Sequence, residues 1–147
     1  VVMSLFTSSA IGMVIAHRAS ISGAEGGCQA ECGSASAMAA SAAVELMGGT
    51  PVMVSNACAI ALKSVLGLVC DPVGGLVEVP CIKRNATGSA NALVAAEMAL
   101  AGVESIIPAD EVIDAMGSIR KLMPCVLKET AEGGLAVTPT ARKLFEK

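Results

Sequence analysis

Aromatic residues are nearly missing from this 147-residue chain, which has no Trp, no Tyr and two Phe. Charge is scarce as well: 16% of residues are charged, against roughly 25% in a typical soluble domain. Such a chain, 54% hydrophobic, is not disordered. Its 10 Lys and Arg are outnumbered by 13 Asp and Glu and form no long stripe. Nucleic-acid binding needs a basic face, usually with aromatic platforms, so that class of function is excluded. Long apolar runs are also lacking. The longest charge-free stretches, Val1–Ala16 and Leu46–Leu62, fall near or below the roughly 17–25 residues of a spanning helix. Gly48-Gly49-Thr50-Pro51 interrupts the second. The sequence shows no membrane span and no secretory signal. A helical core of Ala, Gly, Val, Leu and Met accounts for the mean hydropathy of +0.69.

What is present is helix punctuation, and it predicts an all-α (mostly α) fold: a compact helical domain of ordinary single-domain size. An apolar helix is expected over residues 2–17, ending before the Gly/Ser-rich segment Ser20–Gly27. A helix of small residues follows from about Glu31 and is closed by Gly48-Gly49. Thr50 and Pro51 supply the cap and first residue of another, running to about Val69. Asp71-Pro72, Gly74-Gly75 and Pro80 then break the pattern, with Leu76–Val79 as a short extended piece. A helix resumes near Ser89 and ends before Gly102. Pro108, Asp110 and Glu111 open the next, which Pro124 limits. Thr138-Pro139 starts a short terminal helix. Val1-Val2-Met3 opens inside an apolar stretch, and since termini normally lie at the surface, residues upstream are expected.

Six cysteines carry the chemical signal. The lone histidine, His17, and the single close pair Cys28–Cys32, spaced C-x3-C, do not make a structural zinc pattern. Cys58 and Cys125 sit in apolar contexts that suit small core residues. Cys28, Cys70 and Cys81 instead lie beside chain breakers, on irregular Gly/Pro loops that can bring thiolates together. Three thiolates on a [4Fe–4S] cube leave one iron without a cysteine, free to act as a Lewis acid. Inert core cysteines remain the competing reading on spacing alone.

Longer motifs surround these cysteines: Gly27-Cys28-Gln29-Ala30-Glu31, then CDPVGGLVEVPCIKRNA from Cys70 to Ala86, then GGLAVTPT from Gly133 to Thr140. Together they resemble the iron–sulfur-dependent L-serine dehydratases, in the α chain or the α domain of the single-chain forms. The resemblance covers nearly the whole chain and is strongest from Ser20 to Thr140. It implies a [4Fe–4S] cluster held by Cys28, Cys70 and Cys81, no pyridoxal phosphate, and conversion of L-serine to pyruvate and ammonia. It further implies that residues 1–147 are the C-terminal part of the α domain, with an upstream half and a β chain or β domain supplied elsewhere. A cytoplasmic homo- or hetero-oligomer follows from the same resemblance. Cys32 is not a required cysteine of the family pattern, and Ala141 stands where a glycine commonly follows the TPT motif.

In such an enzyme the open iron binds the serine hydroxyl, while a base removes the Cα proton. Lys83, Arg84 and Asn85 follow the third cysteine. Arg84 and Asn85 are candidate substrate contacts, with thiolate charge balance or a solvated basic turn as the alternatives. Glu31 and Glu78 are candidate bases or acceptors near the site, and exposure is the usual state of such residues. His17 fits a helix end better than a catalytic position. The catalytic base is not assigned. Two rival functions stay open: an L-cysteine desulfidase on the same scaffold, and a non-catalytic iron–sulfur protein in which Cys32 is the nearest fourth ligand.

Overall fold

The computed structural model of the chain describes residues 1–145. Seven α-helices are present among them: α1 (Val2–Arg18), α2 (Gly23–Gly26), α3 (Ser34–Leu46), α4 (Pro51–Lys63), α5 (Cys81–Leu100), α6 (Ala109–Leu122) and α7 (Pro139–Phe145). Short irregular turns separate them: a π-turn at Gln29–Gly33 and 3₁₀ turns at Val73–Gly75, Cys125–Leu127 and Gly134–Val137. No strand occurs among the described residues; one isolated parallel bridge joins Cys70 to Lys128. The expected helical class is what the chain adopts. No helix among the described residues is long and apolar enough to cross a membrane.

Local chemistry explains the helix ends. Thr50 accepts a hydrogen bond from the Met53 N–H at 3.3 Å, and Pro51 occupies the first helical position of α4. In α6, Asp110 and Glu111 lie in the first turn and Arg120 and Lys121 in the last, matching charge to the helix dipole at both ends. Pro80 precedes α5, whose first residue is Cys81 rather than a position near Ser89. Proline just ahead of a helix leaves no helical hydrogen bond unmade, so the break at Pro80 is also a start. Helix α4 stops at Lys63, short of Val69, in turns that run to Gly67. Of the expected extended piece Leu76–Val79 only Leu76 is extended; residues 77–79 are turned, with the Glu78 N–H bonded to the Leu76 carbonyl at 2.8 Å.

Helix α3 is the centre of the packing and touches α1, α4 and α5. Its inward residues Ala37, Ala40 and Val44 are fully buried, as are Ala57, Ala59 and Ala61 of α4. Side chains this small allow close helix approach, since the interaxial distance follows the residues at the contact. Polar ties fix the register that small side chains leave loose. Asn91 of α5 donates to Ser36 Oγ and to the Ala61 carbonyl, both at 2.9 Å, and Ser36 Oγ donates to the Gly88 carbonyl at 2.9 Å. Arg18 links α1 to α6 through Asp114, with bonds of 3.0 and 2.6 Å.

Asn91→Ala removes both cross-helix donations at one stroke and should lower unfolding stability by about 1–3 kcal/mol, read by urea denaturation. The Arg18 guanidinium holds the Asp114 carboxyl below its ordinary value. A carboxylate shifted down on folding stabilises above its unfolded pKa, and that stabilisation fades as pH falls through the folded one. Asp114→Asn should therefore flatten the acid limb of a stability–pH profile below about pH 4.

Candidate functional site

The site is built where the chain leaves helical geometry. Gly27 has φ +74°, and a Cβ there would stand 2.8 Å from both the Leu68 carbonyl oxygen and Met123 Sδ. Only glycine meets both demands. This close approach brings the residues after Gly27 against Gly67 and Leu68. The Gln29 N–H donates to the Leu68 carbonyl at 2.9 Å, and Gln29 Oε1 accepts from the Gly67 N–H at 2.9 Å. Cys70 is fixed by its N–H to the Leu127 carbonyl and its carbonyl to the Glu129 N–H, each at 2.9 Å. Cys28, Cys70 and Cys81 are consequently buried, at 1%, 2% and 6% exposure.

The sulfurs of Cys28 and Cys70 and a carboxylate oxygen of Glu31 lie within 4.8 Å of one another. Cys81 and Cys32 are not among these three ligand atoms, but both are near enough for the Cys28 charge to act on them. Burial pushes the Cys70, Cys81 and Cys32 thiols up, Cys32 to about 11, and the Cys28 charge raises each of them further. For Cys81 this rise is opposed by the Arg84 charge and by a backbone N–H at the start of α5. A bound cation would favour the thiolate form against burial and the Cys28 charge.

Arg84 lies one helical turn beyond Cys81. Its Nη1 donates to Asp71 Oδ1 at 2.7 Å and to the Val69 carbonyl at 2.8 Å, and lies 3.7 Å from Cys28 Sγ. Asp71 is buried at 3% exposure, and its second oxygen accepts from the Leu135 N–H at 2.7 Å. Gly134, at φ +58°, makes this contact possible, because a Cβ there would run into Asp71. The Gly133-Gly134 motif is thereby tied to the cysteines.

Of the three cysteines singled out by sequence, Cys28 and Cys70 meet within 4.8 Å and Cys81 is buried at the nearby start of α5, with Arg84 against Cys28. Asn85 is exposed on the next position of α5 and its Oδ1 accepts from Cys32 Sγ at 3.2 Å. Glu31 is exposed yet reaches the sulfurs, while Glu78 lies elsewhere, beside Val73, Leu76 and Phe145. Lys83 is exposed, and His17 occupies the exposed last turn of α1. Cys58 is a core residue with its thiol raised to about 11 by burial. Cys125 is not a core residue: it is exposed at the start of a 3₁₀ turn, because Pro124 carries the chain to the surface after α6. Asp71 and Gln29 escaped sequence reasoning. The position of Asp71 between Cys70 and Pro72 was the available signal, while nothing marked Gln29 as buried.

The donor set suits an iron–sulfur group, since soft thiolates select such clusters over hard cations. Space has been left beside it. A Cβ on Gly23 would stand 2.7 Å from Glu31 Oε2 and 3.6 Å from Cys70 Sγ, so the absent side chain keeps this edge open.

Residues 1–136 match the family described as serine dehydratase alpha chain. The chain is 65% identical over 143 residues to the probable L-serine dehydratase alpha chain of Bacillus subtilis, covering 97% of this chain and 48% of that protein. It is 65% identical over 136 residues to the probable L-serine dehydratase alpha chain of Latilactobacillus sakei, covering 92% and 65%. Against the L-serine dehydratase alpha chain of Peptoniphilus asaccharolyticus it is 56% identical over 138 residues, covering 94% and 47%. The chain therefore spans between about half and two thirds of the length of these relatives. With the match running through the cysteine motifs and the Asp71 segment alike, the chain belongs to the serine dehydratase alpha chain family.

Proposed function

We propose that this chain is the cluster-bearing, C-terminal part of an L-serine ammonia-lyase that converts L-serine to pyruvate and ammonia. The observation that supports the reading is the close approach of the Cys28 and Cys70 sulfurs, with the buried Cys81 near enough to interact with both by charge. On this reading the three cysteines hold a [4Fe–4S] cluster. When bound, the cluster supplies an iron open to the serine hydroxyl, where it stabilises negative charge on the departing oxygen. The chain's own residues do the rest of the positioning. Arg84 balances the Cys28 thiolate and locks Asp71, and on this reading its remaining guanidinium nitrogens and Asn85 are candidate substrate contacts. Burial of the sulfurs limits the access of water and oxidant to the site.

The remainder of the α chain and a β chain or β domain complete the enzyme, in keeping with relatives that are about twice as long as this chain. All six cysteines are free thiols, which suits the reducing conditions of the cytoplasm.

The test is an anaerobic preparation of the complete protein. Cys28→Ser, Cys70→Ser and Cys81→Ser should each lose iron, visible absorbance and serine turnover. Cys58→Ser should keep its iron and lose stability only. Equal iron retention across the four variants would overturn the ligand assignment, and turnover of L-cysteine in place of L-serine would transfer the scaffold to desulfidation. Asp71→Asn leaves Arg84 without its buried partner. It should cost on the order of 3 kcal/mol by urea unfolding and loosen the GGLAV segment, read as faster amide exchange at Leu135.

A further inference from the structure

Outside the sulfur array, one hydroxyl stands apart. Six serines are buried, and five of them have a hydrogen-bond partner for the hydroxyl: Ser4 on the Val1 carbonyl, Ser20 on Glu25, Ser36 on Gly88, Ser41 on Val54 and Ser105 on Ile107. Ser34, at 2% exposure, has none. Serines within helices commonly bond back to the carbonyl four residues earlier, as Ser64 and Ser89 do here. Ser34 follows the π-turn and does not. A buried, unpaired hydroxyl costs about 1–3 kcal/mol, so its retention asks for a reason.

Ser34 lines a groove of about 530 Å³ between α1 and the start of α3, together with Gly12, Met13, Ile21, Glu31 and Met38. Gly12 sets how closely the two helices come, since a Cβ there would stand 2.8 Å from Met38 Cε. Glu31 belongs to two places at once: its carboxylate lies within 4.8 Å of the Cys28 and Cys70 sulfurs, and its side chain forms one wall of the groove. No described side chain neutralises it by an ion pair. Glu31 lies within the π-turn and Ser34 directly after it, and both line this groove.

We propose that this end of the groove is the amino-acid recognition site, in which Glu31 pairs with the α-ammonium group of the substrate and Ser34 donates to its carboxylate. The proposal rests on the serine ammonia-lyase reading and adds to it two residues which that reading does not use. The stereochemistry is economical. In L-serine the ammonium and the hydroxyl are carried on adjacent carbons, so an ammonium held by Glu31 presents the hydroxyl toward the sulfur array. The carboxylate, on the same carbon as the ammonium, falls toward Ser34, one turn along. A carboxylate accepts up to about four hydrogen bonds, so Ser34 leaves it room for further donors. Glu31 and Ser34 are thus assigned as substrate-binding residues, and Gly12 as a residue that sets the groove's width.

The complete, iron-loaded enzyme provides the test. Glu31→Gln should keep its iron content and visible spectrum while the KM for L-serine rises roughly tenfold to a hundredfold, as expected for losing a charge-assisted bond. By calorimetric titration, the same change should leave the affinity for 3-hydroxypropanoate, which lacks the ammonium, unaltered. Ser34→Ala should raise the KM about threefold to tenfold and leave the affinity for ethanolamine, which lacks the carboxylate, unaltered. Ser34→Thr, which restores the hydroxyl, should recover most of the loss. Iron loss in Glu31→Gln would make Glu31 a ligand and overturn the proposal. So would unchanged KM values, or equal weakening of the truncated analogues. A wild-type enzyme that holds iron but does not turn over L-serine would instead defeat the underlying reading, and the two failures are told apart by that control.

Discussion

One buried ion pair holds the irregular half of the molecule to the helical half. Asp71 and Arg84 meet at 2.7 Å with their side chains 3% and 17% exposed. Removing two charges from water is costly, and their mutual attraction offsets this only when every remaining donor and acceptor is used. Here both Asp71 oxygens and one Arg84 nitrogen are used: Asp71 takes Arg84 on one oxygen and the Leu135 N–H on the other, and Arg84 Nη1 also reaches the Val69 carbonyl and the Cys28 sulfur. Three irregular stretches, at Cys28, at Val69 and Asp71, and at Leu135, are thereby stitched to α5 at one point. Because Arg84 lies one turn from Cys81, the same contact aims the start of α5 at the other cysteines. The pair is a poor device for stability alone, since well-packed apolar residues of similar volume often do as well. Its value lies in specifying position where small loops have little else to specify it.

This arrangement also shows which parts of the molecule could be read from the sequence. Helix ends marked by Thr50-Pro51, Pro108 and Pro124 were legible because capping and proline act through neighbours in the chain. The start of α5 was not, because Pro80 serves equally well as a break and as a beginning. The closeness of Cys28 and Cys70 was legible through their flanking glycines and prolines and through the longer motifs. Asp71 was not, because what makes it important is Arg84, 13 residues away, and Leu135, 64 residues away. The exposure of Cys125 was missed for the opposite reason. Its local context is apolar, and only the path of the chain after α6 decides that it faces outward. Sequence shows what local backbone chemistry fixes; contacts that close across loops need the fold.

The π-turn at Gln29–Gly33 explains how a domain made of such plain helices can carry a demanding site. Helix α3 must face the core on three sides, and Ala37, Ala40 and Val44 do so with no exposure at all. Directly before it, Cys28, Gln29 and Ala30 must also be buried, but against the loop of Gly67 and Leu68 and the other sulfurs. A continuous α-helix fixes the angle between those two sets of residues, at about 100° per residue. A turn with one added residue rotates everything after it by about that amount, so each set can face its own partner. Ser34, whose hydroxyl has no partner, comes directly after this turn, and Glu31 within it stands at the boundary of sulfur array and groove. Packing and chemistry therefore meet in one distortion. Straightening the turn would improve its hydrogen bonding, but would force either the core stripe of α3 or the cysteine segment out of register.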